Sequence, residues 1–107
     1  MEHNKDISQQ VCECFRHKHT PRSQEAQRQL VNRINRIVGQ LNGIKNMVED
    51  NRYCGDILIQ VAAAESALQS FGHIILRDHM ETCVVEQIQN GNLDVIEETV
   101  DLVKKLK

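Results

Sequence analysis

Proline is almost absent from this 107-residue chain, tryptophan is missing and glycine is sparse. Pro21 stands alone, there are five glycines, and the aromatic set is one tyrosine and two phenylalanines. So few helix breakers leave long helices undisturbed. An apolar content of 40% with 3% aromatics describes an aliphatic core of Ile, Leu, Val and Ala, which disfavours a β-sandwich. Apolar runs of the ~18 residues needed to span a bilayer are also lacking, and no signal-peptide pattern opens the chain. The expected setting is therefore cytoplasmic, with no membrane partner. A formal net charge of −2 gives no bulk signature of nucleic-acid binding.

What is present is unevenly placed. Residues 22–45 carry five basic side chains against Glu25 alone, whereas residues 54–107 carry four basic against nine acidic. A basic first helix on an acidic body can offer a local footprint to phosphate, although an ordinary solvated face has the same composition. Four cysteines in a cytoplasmic chain point to thiols and metal chemistry before disulfides.

Residues 1–20 are polar and aperiodic and read as a disordered tail, with the folded domain spanning 21–107. The tail holds Cys12, Cys14, His17 and His19, a cluster able to take Cu(I) or Zn(II) as a secondary site, or to bind metal only adventitiously. Thr20-Pro21 resembles an N-cap and first helical position, so the first helix is expected from about Arg22 to Glu49. Ile34, Ile37, Leu41, Ile44 and Val48 recur at steps of three and four, which makes a bundle stripe. Gly39 and Gly43, four apart, are a weak signal for close helix approach. Asp50-Asn51-Arg52 breaks the pattern. A second helix starts near Tyr53 or Gly55 and continues to about Gln89. Asn90-Gly91 stops it, and Asn92 is placed to cap a third helix over about Leu93 to Leu106.

The chemistry lies on the second helix. His79 and Cys83 are at i and i+4, on one face with Cβ atoms about 6 Å apart, a spacing that suits joint ligation of a soft ion. Cys54 is the natural third donor. It lies twenty-five residues upstream of His79, or about 37 Å along an unbroken helix, so one chain cannot close the site. An antiparallel second copy can, which makes the expected protein at least a dimer. Long helices in so short a chain also leave apolar stripes that oligomerisation would cover. His73 has no cysteine at helical spacing and reads as a surface or interface residue.

Asn32-Arg33-Ile34-Asn35-Arg36-Ile37-Val38-Gly39-Gln40-Leu41-Asn42-Gly43-Ile44, Tyr53-Cys54 and His79-x-x-x-Cys83 together resemble the copper-sensing operon repressor (CsoR) family. That group also contains nickel, formaldehyde and persulfide sensors. The resemblance covers about residues 28–106. It implies an all-α, three-helix protomer, paired as an antiparallel four-helix-bundle dimer and assembled as a dimer of dimers. It implies a repressor that binds double-stranded operator DNA without a helix-turn-helix and releases it when the effector binds, with a copper chaperone as a candidate source of the ion. Copper sensors of the family carry Cys, His and Cys where this chain has Cys54, His79 and Cys83, so the implied effector is Cu(I). Tyr53 and Glu98 match the pair that hydrogen-bonds the histidine's free ring nitrogen; the alignment needs a one-residue gap, which leaves Glu97 as the alternative. Basic residues of the first helices make the implied DNA contacts, here Arg33, Arg36 and Lys45; Gln40 is a candidate to read a base edge, and surface ion pairs are the plainer role for Lys45 and Arg52.

Nickel-type relatives place histidine where Cys83 stands, and the formaldehyde branch uses an N-terminal proline where this chain has Glu2. Persulfide sensors keep both cysteines without the histidine. The segments around Ile34-Asn35-Arg36 and Gln40-Leu41-Asn42-Gly43 look like that branch, which makes persulfide sensing through Cys54 and Cys83 the second reading. A copper-buffering protein with no DNA role, resting on the tail cluster, is a third. No base, oxyanion hole or substrate pocket can be read from the sequence, so an enzyme is not expected.

Overall fold

A computed structural model of the chain describes residues 16–106, and every element in that range is helical. Helix α1 is Gln24–Glu49. Helix α2 is a single rod that begins as Cys54–Asp78, passes through a π-helical segment at His79–Val84 and finishes as Val85–Gln89. Helix α3 is Asp94–Lys105.

The starts and stops have local causes. Helix α1 is capped by Ser23, whose Oγ accepts from the Ala26 amide at 3.1 Å. The expected cap at Thr20-Pro21 is therefore displaced by three residues, because the Ser23 hydroxyl reaches a free amide of the first turn. Helix α1 ends at Asp50, and Asn51 turns the chain with φ 54°, a left-handed conformation that asparagine tolerates. Gly91, at φ +85°, makes the second reversal. Asn92 then accepts the Asp94 amide on its Oδ1 at 3.2 Å, beside Leu93 at the N-cap position. Asp94 and Glu97 in the first turn of α3, and Lys104 and Lys105 in its last, complement its dipole.

Helices α1 and α2 pack as a hairpin, and α3 folds back on α2. Its far end reaches Gly72, where an added Cβ would come within 2.9 Å of a Leu106 methyl. The start of α3 is anchored by Val95 and Thr99, both buried, with the Thr99 hydroxyl donating to the Val95 carbonyl at 2.7 Å. Ile37 and Ala64 are the other buried residues among those described. An added Cβ at Gly39 or Gly43 would meet nothing within 4 Å, so no close approach within the protomer depends on either.

So small an interior leaves the apolar stripes open. Leu41, Leu58, Ile59 and Leu68 are all more than half exposed, and an apolar trough between α1 and α2 is lined by Ile37, Leu41, Ile44, Val61, Ala64 and Leu68. No helix among the described residues is long and apolar enough to cross a membrane.

Candidate metal centre and basic groove

His79 opens the π-helical segment and Cys83 lies within it. A π-turn inserts one extra residue into the ladder, widens the helix locally and often marks functional positions. Thr82 takes up part of the slack, its Oγ1 donating to the Asp78 carbonyl at 2.7 Å. His79 is half-buried, and its Nε2 is buried without a hydrogen-bond partner among the described residues. Leaving such a nitrogen unsatisfied costs free energy, a cost that a ligated ion removes. Cys83 is half-buried and its thiol is free; Cys54 is free and exposed at the first position of α2.

The donors are therefore of the right type and only partly assembled. Among the described residues of one chain, no three His, Cys, Asp or Glu side chains converge as a metal site. His79 and Cys83 lie near one end of the α2 rod and Cys54 at the other. Tyr53 caps α2 beside Cys54 with an exposed ring, which crowds Gly55: an added Cβ there would come within 2.5 Å of the ring. Glu98 is on α3, which packs against the π-helical segment, and its carboxylate accepts from the Arg16 guanidinium at 3.2 Å. Glu97, the alternative, is exposed in the first turn of the same helix.

A short strap leads into α1 and crosses this end of the rod. The Lys18 ammonium donates to Thr82 Oγ1 at 2.9 Å and to Cys83 Sγ at 3.2 Å, and lies 3.5 Å from Asp78 Oδ2. Arg22 holds the same Asp78 oxygen at 3.0 Å. Both contacts on Asp78 are charge contacts without hydrogen-bond alignment. Thr20 Oγ1 donates to Glu86, and Arg16 to Glu98. His17 and His19 flank Lys18 and are exposed; Cys12 and Cys14 lie outside the described residues. Lys18 and Arg22 escaped the sequence reading because their partners are dozens of residues away, with no periodicity to signal the contact.

Arg33, Arg36 and Gln40 do come together. Arg33 and Arg36 line a groove between α1 and α2 whose walls also include Arg22, Ile74 and Asp78, and a neighbouring hollow adds Gln40 and Ala67. Lys45 is exposed on α1 but outside these walls. The groove and the half-assembled metal centre thus meet at Asp78, the neighbour of His79.

Residues 26–105 match the model of a family described as metal-sensitive transcriptional repressors. The chain belongs to that family. Among similar proteins, the copper-sensing transcriptional repressor CsoR of Bacillus subtilis is 41% identical over 85 residues, covering 78% of this chain and 84% of that protein. The copper-sensing repressor CsoR of Mycobacterium tuberculosis is 36% identical over 78 residues, 72% of this chain and 66% of the relative. Among solved structures, the Cu(I)-containing CsoR of Geobacillus thermodenitrificans superposes with a TM-score of 0.77 at 38% identity, covering 82% of this chain and 93% of that one. The nickel-responsive regulator InrS gives 0.64 at 37% identity, over 85% and 100%. Membership makes this protein a metal-sensing repressor, a regulator class rather than an enzyme class, and its three-helix fold is that of its relatives. Copper and nickel sensors share the fold, so the effector has to be argued from the donors.

Proposed function

We propose that this metal-sensitive repressor is a Cu(I) sensor. In this reading it holds operator DNA in the metal-free state and releases it on binding Cu(I), derepressing copper efflux or resistance genes. The observation that carries the reading is the partly built donor set: the orphaned Nε2 of His79, the free thiol of Cys83 four residues on, and the exposed thiol of Cys54 at the opposite end of the same rod. Two copies packed antiparallel bring the Cys54 of one to the His79 and Cys83 of the other, and the exposed apolar stripes supply the surface for that pairing. Two thiolates and one imidazole form a soft set suited to d¹⁰ Cu(I), whereas Ni(II) favours tetragonal sites richer in nitrogen and oxygen. When bound, Cu(I) supplies a soft Lewis-acid crosslink between the two copies.

The chain's own residues do the rest. Tyr53 and Glu98 are the proposed partners of the imidazole's remaining N–H, which fixes the ring and ties α3 to occupancy. Arg33, Arg36 and Gln40 in the groove, with Lys45 beyond it, face DNA: the arginines and the lysine neutralise phosphate, and Gln40 is placed for a base edge. A tenfold loss of operator affinity on metal binding requires only ~1.4 kcal/mol of coupling between the two sites. Thiol ligation releases protons, so Cu(I) affinity rises with pH.

The test is an anisotropy titration of reduced, metal-free protein on its own promoter DNA, repeated with Cu(I) and with a persulfide donor. Release by Cu(I), lost in His79→Ala, is expected. Release by the persulfide donor alone reassigns Cys54 and Cys83 to sulfur sensing. Absence of DNA binding in every state removes the repressor role and leaves copper buffering.

A further inference from the structure

The strap at residues 16–22 puts a cation where the effector has to bind. Lys18 makes three contacts at one spot, to the Cys83 sulfur at 3.2 Å, the Thr82 hydroxyl at 2.9 Å and the Asp78 carboxylate at 3.5 Å, and its side chain retains only 17% exposure. Arg16, far more exposed, donates to the Glu98 carboxylate at 3.2 Å. Arg22 and Thr20 pin the strap at points eight residues apart along α2, through Asp78 and Glu86. A sulfur that accepts an ammonium hydrogen bond has one lone pair engaged, and a fixed positive charge beside it opposes arrival of a second cation.

We propose that Lys18 is a gate on the metal centre: in the metal-free protein its ammonium occupies Cys83, and it must withdraw before Cu(I) reaches that sulfur. This rests on the Cu(I) reading above and deepens it by naming a residue that sets effector affinity. Lys18 is a positioning residue and not a ligand, since an ammonium has no lone pair to give. The gate also sets a threshold. Displacing three contacts lowers the apparent metal affinity, so the repressor responds at a higher copper level than its donors alone would set. Because Lys18 and Arg22 share Asp78, withdrawal of the ammonium leaves that carboxylate to Arg22, on the wall of the basic groove.

Two measurements on the full chain test this. In the first, amine acetylation of wild-type protein is followed by mass spectrometry, with exposed Lys45 as internal reference. Labelling of Lys18 relative to Lys45 should be low without metal and rise several-fold when Cu(I) is loaded anaerobically. In the second, Cu(I) affinity of Lys18→Met is compared with wild type by competition with a Cu(I) chelator. Removing a charge-assisted contact to a ligand atom should tighten binding by roughly 3- to 30-fold. An unchanged labelling ratio at full Cu(I) loading overturns the gate while leaving the copper reading intact. Weaker binding in Lys18→Met does the same, and makes Lys18 a supporter of the bound state. Failure of wild-type protein to bind Cu(I) through Cys54 and Cys83 overturns the copper reading together with the gate.

Discussion

The π-turn separates residues with very different prospects on α2. His79 and Cys83 bring an orphaned nitrogen and a free thiol to one short segment, while His73, six residues upstream, is exposed with neither feature. Replacing Cys83 by Ser exchanges a soft donor for a hard one of similar size, so the fold should persist while Cu(I) affinity falls. The fall should exceed the roughly 10- to 100-fold that loss of a residue supporting a ligand typically costs. Chelator competition, with circular dichroism to check the fold, reads both parts. Glu98→Gln belongs to that milder class. It keeps the shape but removes the charge that now holds Arg16 at 3.2 Å, and Cu(I) affinity should drop within that 10- to 100-fold range. If Glu98→Gln is silent and Glu97→Gln is not, the one-residue gap in the alignment was placed wrongly.

At the scale of elements, the reversal between α2 and α3 has the most specific requirement. Gly91 sits at φ +85°, a conformation that costs an L side chain strain, although an added Cβ would clash with nothing within 4 Å. Gly91→Ala should therefore destabilise the fold by about 1–2 kcal/mol through backbone strain alone, visible as a lowered urea midpoint with unchanged slope. This turn was legible in the sequence because Asn-Gly after a long periodic run is a local signal, and the same holds for the break at Asn51 and the end of α2. The start of α1 was misplaced because Thr20-Pro21 and Ser23 offer rival caps three residues apart, and only geometry decides which hydroxyl meets an amide. The π-segment was not legible at all, since its sequence continues a helical pattern and one extra residue in the ladder leaves no mark on composition. The strap leaves no sequence signal for another reason: Lys18 meets Thr82 and Cys83 across more than sixty residues, and nothing local in His17-Lys18-His19 marks those contacts.

For the whole molecule, the decisive quantity is the apolar surface one chain cannot cover. Only Ile37, Ala64, Val95 and Thr99 are buried among the described residues, whereas Leu41 is 53% and Leu68 54% exposed beside the trough between α1 and α2. Burying the exposed half of each such leucine against a second copy contributes about 1 kcal/mol, roughly half the value of full burial, which an isolated protomer forgoes. The metal centre makes the same demand independently, because Cys54 and His79 stand at opposite ends of one rod. Both arguments converge on Leu68, which lies in that trough, outside the walls lined by Arg33, Arg36 and Gln40. Leu68→Glu would place a charge in the antiparallel seam and favour the separated chains. Light scattering should then report a smaller assembly, operator affinity should fall, and Cu(I) binding should weaken although every donor remains in the sequence. Unpaired chains should also lose the steep salt dependence of operator binding that several copies of Arg33 and Arg36 acting together produce. A Leu68→Glu protein that separates into single chains yet still binds Cu(I) as tightly as wild type would contradict the shared site. The donors would then have to be completed within one chain, and Cys54 would drop out of the metal centre.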